Sequence, residues 1–350
     1  MKTDVSQLCL LSPRSLEEGT GVRPKIAVFR ALQLGDMLCA IPALRALRQA
    51  YPDAEITLLG LPWAKTLVER FPEYLDDFMH FPGYPGLPEQ PFSPAAFLEF
   101  LQEAQARKFD LVLQMQGNGS FVNPMVELLG AKQTAGFCLA NDYAPDNGLF
   151  LEYPEGIHET ERHLKLVQHL GLEATDSSLE FPLTAKDRSD LQAAGFDLPK
   201  GSYVCVHPGS RGAWRQWPVE YFAALGDACA EKGLTVVLTG TADEMPIVEA
   251  VAGKMVHKPV IAAGKTSLGT VGVLINDAAL LISNCTGVSH IAAALQTPSI
   301  VMSMDGEPER WAPQNTHLYR TIDWTRTPDF GLAQAALNDL LETVVLTKKF

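Results

Sequence analysis

Positive charge is scarce in this chain: 28 Lys and Arg stand against 41 Asp and Glu among 350 residues, a formal charge of −13. A surface of that sign repels phosphate backbones and anionic lipid, so nucleic acid is not expected as a partner and any anion site must be a local cluster of cations. Cysteine is present but unorganised. Cys9, Cys39, Cys138, Cys205, Cys229 and Cys285 form no CxxC pair, which argues against a zinc knuckle or a disulfide framework and for a reducing compartment. Long apolar runs are missing as well. Nothing approaches the ~20 consecutive apolar residues of a membrane span, and near the N-terminus only Leu8 to Leu11 are continuously apolar. The expected location is the cytoplasm, with at most peripheral contact with a membrane.

Several nucleotide and metal signatures are also absent. There is no GxxxxGK[ST], and no GxGxxG opens the first helical pattern, which sets aside a P-loop and a dinucleotide fingerprint. No Asp-x-Asp pair stands at a strand end, so a magnesium site for a sugar nucleotide has no ligands to build on and no metal is expected. His158-Glu159-Thr160-Glu161-Arg162-His163 spaces its histidines one residue too far for HExxH. The two cannot face one zinc ion from a helix, and the segment is expected to be helix surface.

What is there fits an α/β protein of two domains. An apolar content of 47% with 20% charged residues is enough to build cores, and 350 residues suggest roughly two of them. After a loose leader over residues 1–23, apolar runs alternate with helical patterns from Lys25 onward: Ile26–Arg30, Ile56–Leu59, Phe78–Phe81 and Leu111–Met115 read as strands. The alternation restarts with Tyr203–Val206, Val236–Leu238, Val260–Ala262, Leu280–Ile282 and Ile300–Met304. Strand, helix, strand with short links is the pattern of parallel sheets covered on both faces. The expected domains are 24–175 and 176–330, with a cleft between their sheets, followed by a C-terminal helix over 331–350 that could pack back on the N-terminal domain. Ligands of such sheets bind beyond the carboxyl ends of the strands, so the loops there hold the candidate chemistry.

One of those loops is Ser283-Asn284-Cys285-Thr286-Gly287-Val288-Ser289-His290, a strand end, a Thr-Gly turn and a helix start. The unpaired N–H groups of a helix start attract anions, and Gly287 lets one approach without a Cβ in the way. His290 lies one turn from Thr286, on the same face. The same residues also suit an ordinary capped link. A second loop, His207 to Pro218, carries Arg211 and Arg215 and no acid; guanidinium groups bind phosphate oxygens in pairs of hydrogen bonds, although Trp214 and Trp217 could equally anchor a plain solvated loop. Gly240-Thr241-Ala242-Asp243-Glu244 and Gly264-Lys265-Thr266-Ser267-Leu268 follow the next two strands. Glu244 is open between an acceptor for ribose hydroxyls and a helix-start acid, and the second loop between a frame for a base and a helix cap. Asp36, ending the loop after the first strand, is open between an N-cap and a general base. Pro42 beyond it implies a kink, or a helix that becomes regular only there.

Taken together, these loops resemble those of glycosyltransferase family 9, the heptosyltransferase family, from about Lys25 to Asp323. The resemblance is carried by Arg30-Ala31-Leu32-Gln33-Leu34-Gly35-Asp36 with Pro42-Ala43-Leu44, by His158-Glu159 through Gly171, and by His207-Pro208-Gly209-Ser210 with Arg215-Gln216-Trp217-Pro218. It continues in Thr286-Gly287-Val288-Ser289-His290-Ile291-Ala292-Ala293-Ala294-Leu295 and Arg310-Trp311-Ala312-Pro313. It implies the GT-B architecture, two facing Rossmann-like domains, and an inverting transfer of a sugar from a nucleotide-diphospho donor without a metal. The implied donor is ADP-heptose, and no cofactor is implied beyond it. The implied acceptor is a glycan or glycolipid such as lipopolysaccharide core, met at the inner face of the cytoplasmic membrane. By position, Asp36 matches the acid taken as catalytic base. Arg215, Arg211, Ser210, Thr286, Gly287 and His290 match the donor diphosphate site; Glu244 matches the ribose position, Lys265, Thr266 and Leu268 the base-binding loop, and Gly240 belongs with them to the nucleoside site. Two residues depart from the family pattern. Arg215 stands where a lysine is usual and keeps the charge, whereas Cys285 stands where an aspartate is very common and removes an acid near the donor.

Two further readings use the same architecture: a sugar-nucleotide epimerase or hydrolase, and a non-catalytic sugar-nucleotide binding protein. Incubation with nucleotide sugars and no acceptor separates them by epimerised or hydrolysed product in the first case and binding without turnover in the second. A transferase built from these loops is expected to keep its activity in excess EDTA. Loss of transfer on chelation, restored by Mg²⁺ or Mn²⁺, would overturn the expectation of a metal-free site.

Overall fold

The structure, a computed structural model, describes residues 23–145 and 149–347; apart from Arg23, the expected leader lies outside them. The chain divides into two compact units, Met1–Ser178 and Leu179–Phe350. The first is built from β1 (Lys25–Phe29), α1 (Leu34–Ala50), β2 (Glu55–Gly60), α2 (Lys65–Arg70), β3 (Asp77–His80), α3 (Pro94–Arg107), β4 (Leu111–Gln114), α4 (Asn123–Glu127), β5 (Gln133–Cys138), β6 (Leu149–Glu152) and α5 (Glu159–His169). Its sheet is parallel throughout, in the order β3-β2-β1-β4-β5-β6.

The second unit repeats the scheme with α6 (Ala185–Ala193), β7 (Tyr203–His207), α7 (Val219–Glu231), β8 (Thr235–Leu238), α8 (Met245–Lys254), β9 (Val260–Ile261), α9 (Leu268–Asp277), β10 (Leu280–Asn284), α10 (Gly287–Ala294), β11 (Ser299–Ser303), α11 (Pro308–Trp311), β12 (Tyr319–Asp323) and α12 (Phe330–Thr347). The order is β12-β11-β10-β7-β8-β9, again all parallel. Both sheets are doubly wound, as the alternation of elements implies. Central strands such as Ile26–Phe29 and Leu280–Asn284 are buried on both faces, which is why they read as unbroken apolar runs and not as alternating ones.

Three strands escape the sequence pattern, each for a physical reason. In β5, Gly136 leaves room for Gln114, whose side chain would lie 2.6 Å from an added Cβ. The β4–β5 ladder ends at Leu113 and Ala135, and the Gln114 side chain then continues it, accepting from Phe137 N–H at 3.0 Å and donating to Gln116 O at 2.7 Å. A strand built around an amide cannot show a Val/Ile run. β6 and β12 are edge strands, short and half-exposed in the first case and, in the second, Tyr-Arg-Thr-Ile-Asp with only Tyr319 and Ile322 buried. The helix α1 is continuous from Leu34, with Pro42 inside it, so the regular helix does not wait for the proline. The C-terminal helix joins the core of the second unit through Ala333, Leu337 and Leu340, beside Trp217 and Phe222.

The expectation of a surface helix at His158–His163 is overturned. Glu159, Arg162 and His163 are all buried, because α5 packs along α1. Burial, with Arg30 adding to it, pushes the His163 imidazole down to about 4. The folded state therefore holds this ring neutral while an unfolded chain protonates it near ~6.5. In that window the unfolded state binds more protons, so stability falls as pH drops from about 6.5 toward 4, by ~2–3 kcal/mol for this one group. Urea denaturation of wild type and His163→Gln at pH 7.5 and pH 4.5 checks it. The stability of wild type relative to the variant should shrink by ~2 kcal/mol at the lower pH, and an unchanged difference would show that the ring titrates normally.

Candidate functional site

Side-chain and backbone contacts tie together the loops at the carboxyl ends of β7, β8, β9, β10 and β11. Asn284, the buried last residue of β10, donates from Nδ2 to Pro208 O at 2.8 Å and Gly209 O at 3.2 Å, and accepts from Trp217 N–H at 2.9 Å. One amide thus fixes both ends of the arginine-bearing loop beside the Thr286-Gly287 turn. Thr286 is the N-cap residue of α10. The Ser289 hydroxyl donates to Thr286 O at 2.7 Å and accepts from Thr286 N–H at 3.3 Å, which closes the first turn and sets the helix start. His290 is buried edge-on to the Trp311 ring, centroids 6.4 Å apart. Ser210 is buried and its carbonyl accepts from Gln216 Nε2 at 3.0 Å, whereas Arg211 is exposed.

The arginine loop has no acid of its own, but the fold brings one. Arg215, in the 3-10 turn Ala213–Arg215, pairs with Asp305 from the loop after β11, and its Nη2 lies 3.5 Å from Cys285 O. Asp305 also accepts from Ser303 Oγ at 2.9 Å and from Glu307 N–H at 3.3 Å, so its position is set independently of the arginine. Burial, reinforced by Asp305, pushes the Cys285 thiol up to about 12; at neutral pH position 285 is an uncharged donor. The loop after β11 thus places the Asp305 carboxylate near Cys285. The two tryptophans part company: Trp217 is 1% exposed and packs in the core, whereas Trp214 is 68% exposed with the Arg215 guanidinium 5.6 Å from its ring.

On the other side of β7, Glu244 reaches back to the same loop. Its Oε2 accepts from Thr241 N–H at 2.8 Å and lies 3.7 Å from Nε2 of the buried His207, whose Nδ1 is 3.1 Å from Thr239 Oγ1. A Cβ on Gly209 would stand 2.1 Å from Glu244 Oε1, so only glycine admits the carboxylate here. Burial holds the His207 imidazole below its usual value, partly opposed by Glu244. The Gly264 N–H donates to Gly240 O at 3.0 Å, joining the loop of Glu244 to that of Lys265, Thr266 and Leu268. Lys265 Nζ donates to Ile261 O at 3.2 Å, and Ser267, the N-cap of α9, accepts from Thr270 N–H at 3.2 Å. Among the described residues no three His, Cys, Asp or Glu side chains converge as metal ligands.

In the first unit, Asp36 is not an N-cap. Gln33 holds that position without a side-chain bond, and Asp36 is the third residue of α1. Its carbonyl accepts from Arg30 Nε at 3.0 Å and Nη2 at 2.8 Å, and its carboxylate Oδ1 lies 4.0 Å from the same Nη2. The carboxylate is 24% exposed. The loop that delivers it is held by Gln116 Oε1, which accepts from Ala31 N–H at 2.8 Å, and by Trp63 Nε1, which donates to Leu32 O at 3.2 Å.

Two solved structures share this fold over nearly all of the chain. A glycosyltransferase of family 9 from Veillonella parvula aligns with a TM-score of 0.75 at 21% identity, covering 94% of this chain and 100% of that one. The ADP-heptose lps heptosyltransferase II of E. coli aligns with a TM-score of 0.73 at 18% identity, covering 93% and 100%. Two doubly wound parallel sheets in series give the chain the GT-B fold of these structures. The sequence family can then be stated. Residues 97–331 match the model of glycosyltransferase family 9 (heptosyltransferase), and the chain belongs to that family. Lipopolysaccharide heptosyltransferase 3 of Escherichia coli K12 is 29% identical over 295 residues, 80% of this chain and 82% of that protein.

Arg215 links the three loops around the Thr-Gly turn, so Arg215→Ala is expected to weaken binding of a nucleoside diphosphate by ~1.5–3 kcal/mol, the scale of a charge-assisted hydrogen bond. Isothermal titration measures it, and unchanged affinity would make this arginine a partner of Asp305 alone.

Proposed function

We propose that this glycosyltransferase moves heptose from ADP-heptose to a lipopolysaccharide core acceptor, with inversion and without a metal ion. Family membership supports the reaction class. The names of the E. coli relatives supply the sugar, the nucleotide and the acceptor class. The observation that carries the donor assignment is the joining, at one edge of the second sheet, of an arginine and a helix start on one side with a carboxylate-bearing loop on the other. The unit from residue 176 to 330 is the donor domain in this reading, and residues 24–175 form the acceptor side.

In the reaction the acceptor hydroxyl attacks the anomeric carbon opposite the diphosphate, the bond from that carbon to the phosphate oxygen breaks, and the hydroxyl proton passes to Asp36. The departing ADP gains negative charge. Arg215, Arg211, the Ser210 hydroxyl, His290 and the helix start at Thr286-Gly287, with the Gly287 N–H, would meet that charge, the role a divalent cation plays elsewhere. Glu244 and Gly240 would hold the ribose, and Lys265, Thr266 and Leu268 would frame the adenine. Cys285, as a neutral thiol beside Asp305, would border the donor sugar. The place of action is the cytoplasm, at the inner face of the membrane where a glycolipid acceptor is met.

If Asp36 is the base, Asp36→Asn lowers the turnover number by ~10²–10⁴ and leaves donor affinity nearly unchanged. A carboxylate in the first turn of a helix is otherwise worth only ~0.3–1 kcal/mol of stability. Turnover within a few-fold of wild type would therefore reduce Asp36 to a helix-start acid. A thermal-shift screen of nucleotide sugars tests the donor, since a ligand bound to the native state raises apparent stability. A larger shift with a uridine or guanosine sugar than with an adenosine one would overturn that part.

A further inference from the structure

Arg30 follows β1 and is 1% exposed, buried where stability alone gives no reason for a cation. It lies against the first turn of α1, the positive end of that helix, where a guanidinium is electrostatically unfavourable. Nor does it cap an orphan group. The carbonyl it holds belongs to Asp36, in the first turn of the helix, and carbonyls there already accept from the residue four positions on. Arg30 also donates from Nη1 to Met115 O, at the end of β4.

Two carboxylates face this buried charge, that of Asp36 at 4.0 Å and, nearer and buried with it, that of Glu159 at 3.3 Å. Glu159 Oε1 lies 3.3 Å from Arg30 Nη2 and 3.2 Å from His163 Nε2, and Oε2 accepts from Arg162 Nη1. Arg162 is fixed in turn by Pro154 O at 2.9 Å, by Ile157 O at 3.5 Å and by the Tyr153 ring, 4.4 Å below its guanidinium carbon. The result is a chain of rigid contacts from Pro154 through Arg162, Glu159 and Arg30 to the backbone of Asp36. Buried ion groups of this kind are commonly no more stabilising than apolar side chains of the same volume, so their presence is better explained by the geometry they impose.

We propose that Glu159 is a positioning residue for catalysis, which holds Asp36 in its working place through Arg30. This rests on Asp36 being the base. A displacement of about 1 Å at a reacting group can lower a rate ~10²-fold, and withdrawing the Glu159 carboxylate by one methylene lets the Arg30 fork, and with it Asp36, shift on that scale.

The test is Glu159→Asp, which keeps the buried charge, with Arg30→Lys as a second variant that keeps charge but cannot span both acceptors. Each should lower the turnover number ~10–100-fold while the Kd for the nucleotide sugar stays within two-fold. In the Asp36→Asn background, Glu159→Asp should have no further effect on turnover, because the group it positions is gone. Unchanged turnover in both single variants overturns the proposal, and so does an equal loss of rate with and without Asp36. The reading of Asp36 fails separately, if Asp36→Asn alone keeps wild-type turnover. Should Glu159→Asp prove too unstable to assay, Arg30→Lys and its combination with Asp36→Asn decide the matter by the same two criteria.

Discussion

The amide of Asn284 is the interaction on which the second unit's site depends. It sits at the end of a buried strand, where an unsatisfied polar group would cost about 1–3 kcal/mol, and it is saturated by backbone groups at both ends of one loop. That loop carries Ser210, Arg211 and Arg215. Because β7 and β10 are parallel neighbours, the loop after one strand and the turn after the other lie side by side, and the amide fixes their spacing. The helix start at Thr286-Gly287 and Arg215 are thereby placed by the core, not by the mobility of a surface loop. Preorganisation of this kind is what lets donors act on developing charge without reorganising first.

In the first unit the equivalent role falls to charge. Arg30, Glu159 and Arg162 are buried together, and Gln114 and Gln116 extend the polar layer to β5 and to the loop of Ala31. A polar stratum inside an α/β core is expensive unless every member is paired, but once paired it resists sliding in a way that aliphatic packing does not. The strands beneath supply stability; this layer supplies register.

These devices mark the limit of what the sequence discloses. Buried parallel strands announce themselves as apolar runs, so β1, β7 and β10 and the doubly wound character of both sheets are legible, and so is the strand-turn-helix at Thr286-Gly287. Partners far apart in the chain are not. Glu159 meets Arg30 across 129 residues and Arg215 meets Asp305 across 90, and nothing in the local pattern of either announces the other. A helix segment rich in Glu, Arg and His looks solvated until its counterpart is known. The start of α1 is hidden for a different reason: Gln33-Leu34-Gly35 contains no capping residue, which makes Asp36 look like the cap. The strand β5 is hidden because Gly136 and Gln114 replace the usual aliphatic pair. The candidate donor residues stand out by position in loops after strands, whereas Asn284, Asp305 and His207, which organise those loops, carry no signal beyond being polar at or just past a strand end.

The pairing of Arg215 with Asp305 changes what binding an anion at this place means. A guanidinium without a protein partner gathers mobile counterions from solution and releases them when a phosphate arrives, so its affinity is steeply sensitive to ionic strength. Here the counterion is covalently part of the chain and anchored by Ser303 and the backbone of Glu307. A diphosphate that engages Arg215 exchanges one fixed anion for another. An anion competing for Arg215 in this way would show a weak dependence on salt, and only ligands whose oxygens outcompete a carboxylate would displace the pair.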